Sequence, residues 1–403
     1  MTTRQDRPAP LAAVLTVTVT ASLSGGVFWA GIFFVTAQHY QFSPARNLVL
    51  ATVMGAIYAV AAAAAGKLVR RLSAWSSPRA VLMSALAAWT SAALVPLTGT
   101  RAEGPLWAAA LLGAAASAMT WPIVESYLSA GRHGADMRAV IGWFNVTWTP
   151  ATALALLLAP ILSGEKTLLL SAAGSLAALA AARALPARPG AHAPEAAHAA
   201  VGPEYGFLMR AASWLLPMAY VLCSAMSPLL PHRLASVSGG NTGGGIAGLW
   251  MVARFATLLT MWRTGFWHGR WGTLALGGGA LALGLAAILL APSLVVLAAG
   301  LVLFGVGMGL TYYAAIYYSL AVGHAAVDAG GNFEALIGFG YFVGPLLGLS
   351  AQAVATPAHA TSVTVLLAWV VTAAGAAGAV RPYLAARRAR AARSIAPISR
   401  MPV

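Results

Sequence analysis

The chain has 403 residues, 60% of them apolar and only 8% charged, with a mean hydropathy of +0.78. A soluble domain is about 45–50% apolar and about 25% charged, so too few charges are present to cover a water-facing surface, and disorder is excluded by the same figures. Twenty-four Lys and Arg against nine Asp and Glu give a net charge of +15, and the single cysteine, Cys223 inside an apolar run, excludes an internal disulfide and a cysteine-built metal site.

A helix crossing the hydrocarbon needs about 20 mostly apolar residues, and windows of that length predict twelve spans. The first six lie at 10–37, 47–66, 79–99, 105–130, 140–162 and 166–185, the second six at 207–230, 244–265, 271–291, 293–320, 333–355 and 361–380. The runs are continuous and rich in Ala and Leu, without the alternation of barrel strands. The first run continues through Trp29 to Val35, too long for a signal-peptide core. Between the sets, 186–206 carries Pro186, Pro189, Pro194 and Pro203 with no apolar periodicity and reads as a linker. The expected fold is an all-α integral membrane protein with twelve transmembrane helices in two pseudo-symmetric six-helix bundles. The bundles cover 1–185 and 207–380, and a basic tail covers 381–403.

Basic residues are retained on the cytoplasmic side. With both termini inside, the inner segments hold 19 of the 24 Lys and Arg, and the outer loops hold Arg46, Arg101, Lys166 and Arg233. The excess charge is therefore read as topology plus a tail near anionic lipid, not as a nucleic-acid footprint. The expected location is the inner membrane, with both termini cytoplasmic and the chain a monomer.

Ionisable residues inside the spans are few, which makes each informative. In chain order, Glu125 lies near the inner end of helix four, Arg254 halfway along helix eight, and Glu334 at the start of helix eleven. Arg254 shares a face with Trp250 (i−4) and Thr257 (i+3), and the indole is expected to hold the cation through its ring face. Glu125 and Glu334 are expected near the inner boundary, each as a proton carrier or a gating residue. Softer signals outline a cavity. Helix five has Asn145, Thr149 and Thr152, helix seven a stripe of Ser213, Pro217, Tyr220, Ser224 and Ser227, and helix ten Tyr312, Tyr313, Tyr317 and Tyr318, while Phe28 and Trp29 on helix one offer aromatic walls. Expected substrate-binding residues are Arg254, Trp250, Thr257, Tyr220, Ser224, Asn145, Tyr313 and Tyr317. The histidines show no i, i+4 pair, Gly239–Gly245 lacks the Lys-Ser/Thr of a phosphate loop, and Gly305, Gly307 and Gly309 lie inside a helix as packing residues. No cofactor or metal is expected, and no catalytic set that would make an enzyme.

The two halves repeat weakly. Ile141-Gly142-Trp143 with Pro150 recurs as Ile337-Gly338-Phe339 with Pro345, and Gly66 with Arg71 recurs as Gly265 with Arg270. Architecture and loop together resemble the major facilitator superfamily over nearly the whole chain. Its signature after helix two is G-x-x-x-D-R-x-G-R-[RK], and the Gly and Arg are present in both copies, with Arg70 and Gly269 at the acidic position. Helix four, from Gly113 through Trp121-Pro122, is also similar. A glycine pattern of the family's efflux members appears displaced into helix eleven as Gly331, Gly340, Gly344-Pro345 and Gly348, and reads as close packing.

The resemblance implies a secondary carrier that moves a small organic solute by alternating access, with protons as a candidate coupling ion and lipid as its surroundings. A membrane sensor or assembly factor retaining the carrier fold is the competing reading. In the resembled family the acidic loop residue helps close the inner gate. With that position basic, the expected gate pairs Glu334 with Arg70 or Arg71, and the related Arg270 has no such partner because the matching position is Arg138.

Overall fold

The computed structural model describes residues 8–72, 74–98, 102–132, 134–190, 204–239, 244–322 and 327–395. Among these no strand occurs, and the helices are α1 (Leu11–His39), α2 (Pro44–Leu72), α3 (Pro78–Thr98), α4 (Glu103–Ser129), α5 (Gly134–Leu158) and α6 (Gly164–Ala182), then α7 (Tyr205–Met226), α8 (Leu249–Arg263), α9 (Trp271–Leu289), α10 (Leu294–Val322), α11 (Val327–Val354) and α12 (Ala360–Ile395). A short helix, Leu230–Val237, follows α7, and a 3₁₀ turn, Gly244–Gly248, leads into α8. Eleven of the twelve are long and apolar enough to cross a membrane, so the chain is a multi-pass membrane protein. The exception, α6, carries Glu165 and Lys166 in its first turn. Most of the predicted linker, 191–203, lies outside the described residues, as do 240–243 of the glycine run. The predicted tail begins as a direct continuation of α12, which runs helical to Ile395.

Within the first six helices α1 packs on α5 and α6, and α3 on α4 and α6; within the second six α7 packs on α10, α11 and α12, and α9 on α10. The two sets meet along α2 with α11 and along α5 with α8. Small residues make the first seam close. A Cβ on Gly55 would stand 2.3 Å from the Tyr341 carbonyl oxygen. Gly331, Gly338 and Gly348 likewise face α2. The glycine pattern of α11 thus serves packing, since small faces let backbones approach where lipid offers no competing apolar gain. Gly55→Ala is expected to overpack this seam at a cost of about 1–3 kcal/mol. It should appear as a lower thermal midpoint of the purified protein, and an unchanged midpoint would mean the backbones have room to spare.

Candidate functional site

Local breaks in helix regularity place the aromatic walls of the site. In α1, Gly25, Gly26 and Gly31 bracket a π-helical turn, Val27–Gly31, a feature that re-aims side chains at functional positions. There the Trp29 indole N–H donates to Ser117 Oγ at 3.1 Å. Its ring stacks on Tyr341 at 4.5 Å and meets Tyr58 edge-on at 5.0 Å. In α4, Pro122 cannot donate a backbone hydrogen bond, and Trp121 and Glu125 stand beside it. Tyr58, Trp148, Arg254 and Tyr341 each fall near the middle of their helices, so the cavity they border lies at mid-bundle.

That cavity has a volume of about 130 Å³ and is lined from both halves of the chain, by α1, α2, α4 and α5 and by α7, α8, α10 and α11. Arg254, only 3% exposed, lies on its wall. The guanidinium carbon sits 4.6 Å from the Trp148 ring centroid and 4.6 Å from that of Tyr312, and one terminal nitrogen donates to Tyr220 Oη at 3.2 Å. Its Nε has no partner, and no carboxylate of the described residues comes within ion-pair distance. Cation–π contact holds such a group where water is excluded, but leaves its donors free for a ligand. Ser22 Oγ, on the same wall, is also buried without a partner.

The carboxyls face the same space. Glu334, 5% exposed, accepts a short hydrogen bond from Tyr58 Oη. Glu125, 8% exposed, borders the cavity with no side-chain hydrogen bond to any described residue. Glu125 lies four residues before the end of α4, near its inner end as expected, whereas Glu334 lies deeper in its helix than expected. For Glu334 the reason is the helix start: α11 begins at Val327, so Glu334 lies two turns inside it. The expected pairing with Arg70 or Arg71 is not made. At 1.5 Å per residue the Cα of Arg70 lies about 18 Å along α2 from that of Tyr58, beyond the reach of a carboxylate held by that tyrosine.

The other expected residues divide. Trp250, Tyr220, Ser227, Thr152 and Tyr312 border the cavity, but the indole over the Arg254 cation is Trp148 and not Trp250, whose ring turns to Phe304 at 6.2 Å. Thr257 donates back to the Ala253 carbonyl and packs against Gly309 of α10. Ser224 donates to the Gly340 carbonyl at 2.7 Å across the α7–α11 seam. Asn145, fully buried, accepts from the Trp148 indole at 2.9 Å and so positions the ring that covers Arg254. Tyr313 and Tyr317 border a second cavity, of about 180 Å³, with Arg138, Arg263 and His268. Tyr58, Trp148 and Tyr341 were not singled out by sequence, and Trp121 entered only through the helix-four resemblance. Trp148 and Tyr341 lie among other aromatics and Trp121 beside Pro122, and only Tyr58, at the centre of a helix with no other polar side chain near it, offered a signal.

Contacts between the halves lie on either side of the central cavity, toward both ends of the bundle. Toward the end bearing the 74–77 and 264–270 loops, the basic end, the Trp262 side chain fills the space above Gly142 and meets Trp143 edge-on at 4.9 Å. Beside it the His268 ring stacks on Tyr317 at 4.9 Å, and burial together with the Arg138 cation lowers its pKa. Arg270, the expected gate residue here, stands exposed at the start of α9. Toward the opposite end, fully buried Asn47 accepts from Thr36 at 2.6 Å. Its amide donates to the carbonyls of Phe33 and Pro228 and lies 3.2 Å from His232 Nε2, which joins the two halves. Gly248 packs on Leu157 alongside.

No protein-family model matches the sequence, and no curated protein is similar to it. Solved structures are similar at the level of fold. A human organic anion transporter, MFSD10, matches with 14% identity and a TM-score of 0.60, over 93% of this chain and 98% of its own. The nucleoside transporter NupG matches with 13% identity and a TM-score of 0.64, over 93% and 98%. A structure of proton-dependent oligopeptide transporters matches with 11% identity and a TM-score of 0.66, over 93% and 97%. Eleven helices long and apolar enough to cross a membrane among the described residues, a cavity at mid-bundle and these similar structures thus agree with the resemblance in the sequence: the chain has the fold of the major facilitator superfamily.

Proposed function

We propose that the chain is a secondary active transporter that moves a small organic solute across the cytoplasmic membrane by alternating access. Arg254 binds the solute, and the Glu125–Glu334 pair carries the coupling proton. The observation that carries this reading is the cavity itself, lined by both halves and holding a buried guanidinium with an unused donor. A static receptor has no need of a site divided between two bodies, whereas a carrier that rocks one body on the other must place its site there. The excess of basic residues at one end sets that end in the cytoplasm. Two carboxyls and one guanidinium reach neutrality with one bound proton, so a proton entering with the solute leaves no uncompensated charge in a low-dielectric cavity.

Cys223 borders the cavity and is the chain's single cysteine, which provides a native reporter. In proteoliposomes, a transported solute should show saturable counterflow, and the same solute should slow alkylation of Cys223 by N-ethylmaleimide. Protection of Cys223 without counterflow would return the chain to the sensor reading.

A further inference from the structure

The charges of the cavity are arranged by sign. The cation, Arg254, stands on α8 among Tyr220, Tyr312 and Trp148, all uncharged aromatics. The carboxyls, Glu125 and Glu334, stand on α4 and α11, and Glu334 is already held by Tyr58. Between the cation and Glu334 runs a file of rings. Tyr220, which touches Arg254, meets Tyr341 edge-on at 5.3 Å, and Tyr341 meets Tyr58 at 5.5 Å. The opposite charges therefore share one cavity without forming an ion pair: Arg254 Nε has no hydrogen-bond partner, and Glu125 borders the cavity with no side-chain hydrogen bond to any described residue. A buried charge without a direct partner is costly, and no described side chain pairs with either group.

We infer that the solute is amphoteric: a small molecule bearing both a carboxylate and a protonated amine, the carboxylate on Arg254 and the amine on Glu125. This rests on the transporter reading above and names its substrate class. A simple anion would satisfy Arg254 but add negative charge to a cavity that already holds two carboxyls. A simple cation would satisfy Glu125 and leave the guanidinium unpaired. A sugar offers hydroxyls to both but neutralises neither. The stacked Trp29–Tyr341 pair and Trp121 add π faces near the carboxyls, which also favour an ammonium group. The cavity, about 130 Å³, is smaller than the roughly 300–1,000 Å³ of drug-sized sites, which fits a solute of amino-acid size.

The test is titration calorimetry on the purified full chain with L-alanine, L-leucine, β-alanine, 4-aminobutyrate and alanyl-alanine. The best binder is then compared with its N-acetyl derivative, which lacks the amine charge, and its amide, which lacks the carboxylate. The parent is expected to bind at least tenfold tighter than either. Arg254→Gln should erase the preference over the amide alone, and Glu125→Gln the preference over the N-acetyl form alone. Should either variant fail to fold, protection of Cys223 from alkylation by the parent and not by its two derivatives, in the unmodified chain, tests the same claim. Equal binding or equal protection by either derivative would overturn the inference, as would no binding by any member of the panel. Binding with this pattern but no counterflow would remove the transporter reading and leave the amphoteric site standing. Counterflow of a neutral or singly charged solute, with no binding of the panel, would do the reverse.

Discussion

Arg254→Ala is expected to abolish solute binding while the protein remains folded, and Arg254→Lys to retain part of it. The guanidinium is held by the faces of Trp148 and Tyr312 and by one hydrogen bond to Tyr220, with no carboxylate partner. Its removal therefore breaks no direct ion pair, and breaking a buried ion pair from one side is what makes such substitutions unfold proteins. The lost interaction with a ligand is that of a charged hydrogen bond, about 1.5–3 kcal/mol, which corresponds to roughly ten- to a hundredfold in affinity. Lysine keeps the charge but not the plane that stacks between two rings, nor the fork of donors, so partial binding is the expected result. Titration with the best binder measures both variants, and gel filtration in detergent reports folding. Normal binding by Arg254→Ala, or loss of the folded peak alone, would make the arginine a structural residue.

Arg254 was legible in the sequence for the reason that makes it useful: one arginine halfway along an apolar run has no bland explanation as cheap as the interface. The spans were legible for the same kind of reason, because hydrocarbon thickness fixes helix length. Depth was legible only where helix starts were. Asp328, Gly330, Gly331 and Asn332 break the hydropathy before Phe333, so the eleventh span was set to begin there, and the helix in fact begins at Val327. Glu334 therefore lies two turns inside α11 and borders the cavity, away from the proposed gate. Partners across the bundle were not legible at all. Tyr58 and Glu334 are 276 residues apart in the chain, and nothing local to either marks the other. The polar stripe on α7 was read as one face lining one space. It serves two purposes, with Tyr220 and Ser227 on the cavity and Ser224 satisfied by the Gly340 carbonyl in the packing seam. Hydroxyls on a membrane helix bond backbone carbonyls as readily as ligands, so spacing alone does not separate these roles.

The gate at the basic end is expected to be built on Trp262 and set by His268, in place of the Glu334 pairing. Trp262 belongs to α8 and fills the space above Gly142 of α5, meeting Trp143 edge-on, so it is a contact between the two halves that must part for the cavity to open there. An aromatic pair of this geometry contributes about 0.5–1.5 kcal/mol beyond its buried area, and the area itself adds to that. Loss of Trp262 should then shift a balanced two-state carrier by roughly tenfold or more. Acid should act in the same direction. His268 faces Arg138, Arg263, Tyr313 and Tyr317 around the second cavity, and burial with the Arg138 cation lowers its pKa in this closed arrangement. Once the halves part, the imidazole returns toward its ordinary value of about 6.5. The open form therefore binds the proton more readily than the closed form. The contribution of neutral His268 to closure is present in full above that ordinary value and is lost as pH falls below it toward the depressed one. Trp262→Ala should raise the rate of Cys223 alkylation from the basic end at all pH values. Lowering the pH from 7.5 to 5.5 should open the unmodified chain further, after correction for the thiol reaction itself in the unfolded protein. His268→Gln should remove that acid response without changing the rate at pH 7.5. Unchanged labelling in Trp262→Ala would place the gate elsewhere, and an acid response that survives in His268→Gln would assign it to the carboxyls of the central cavity.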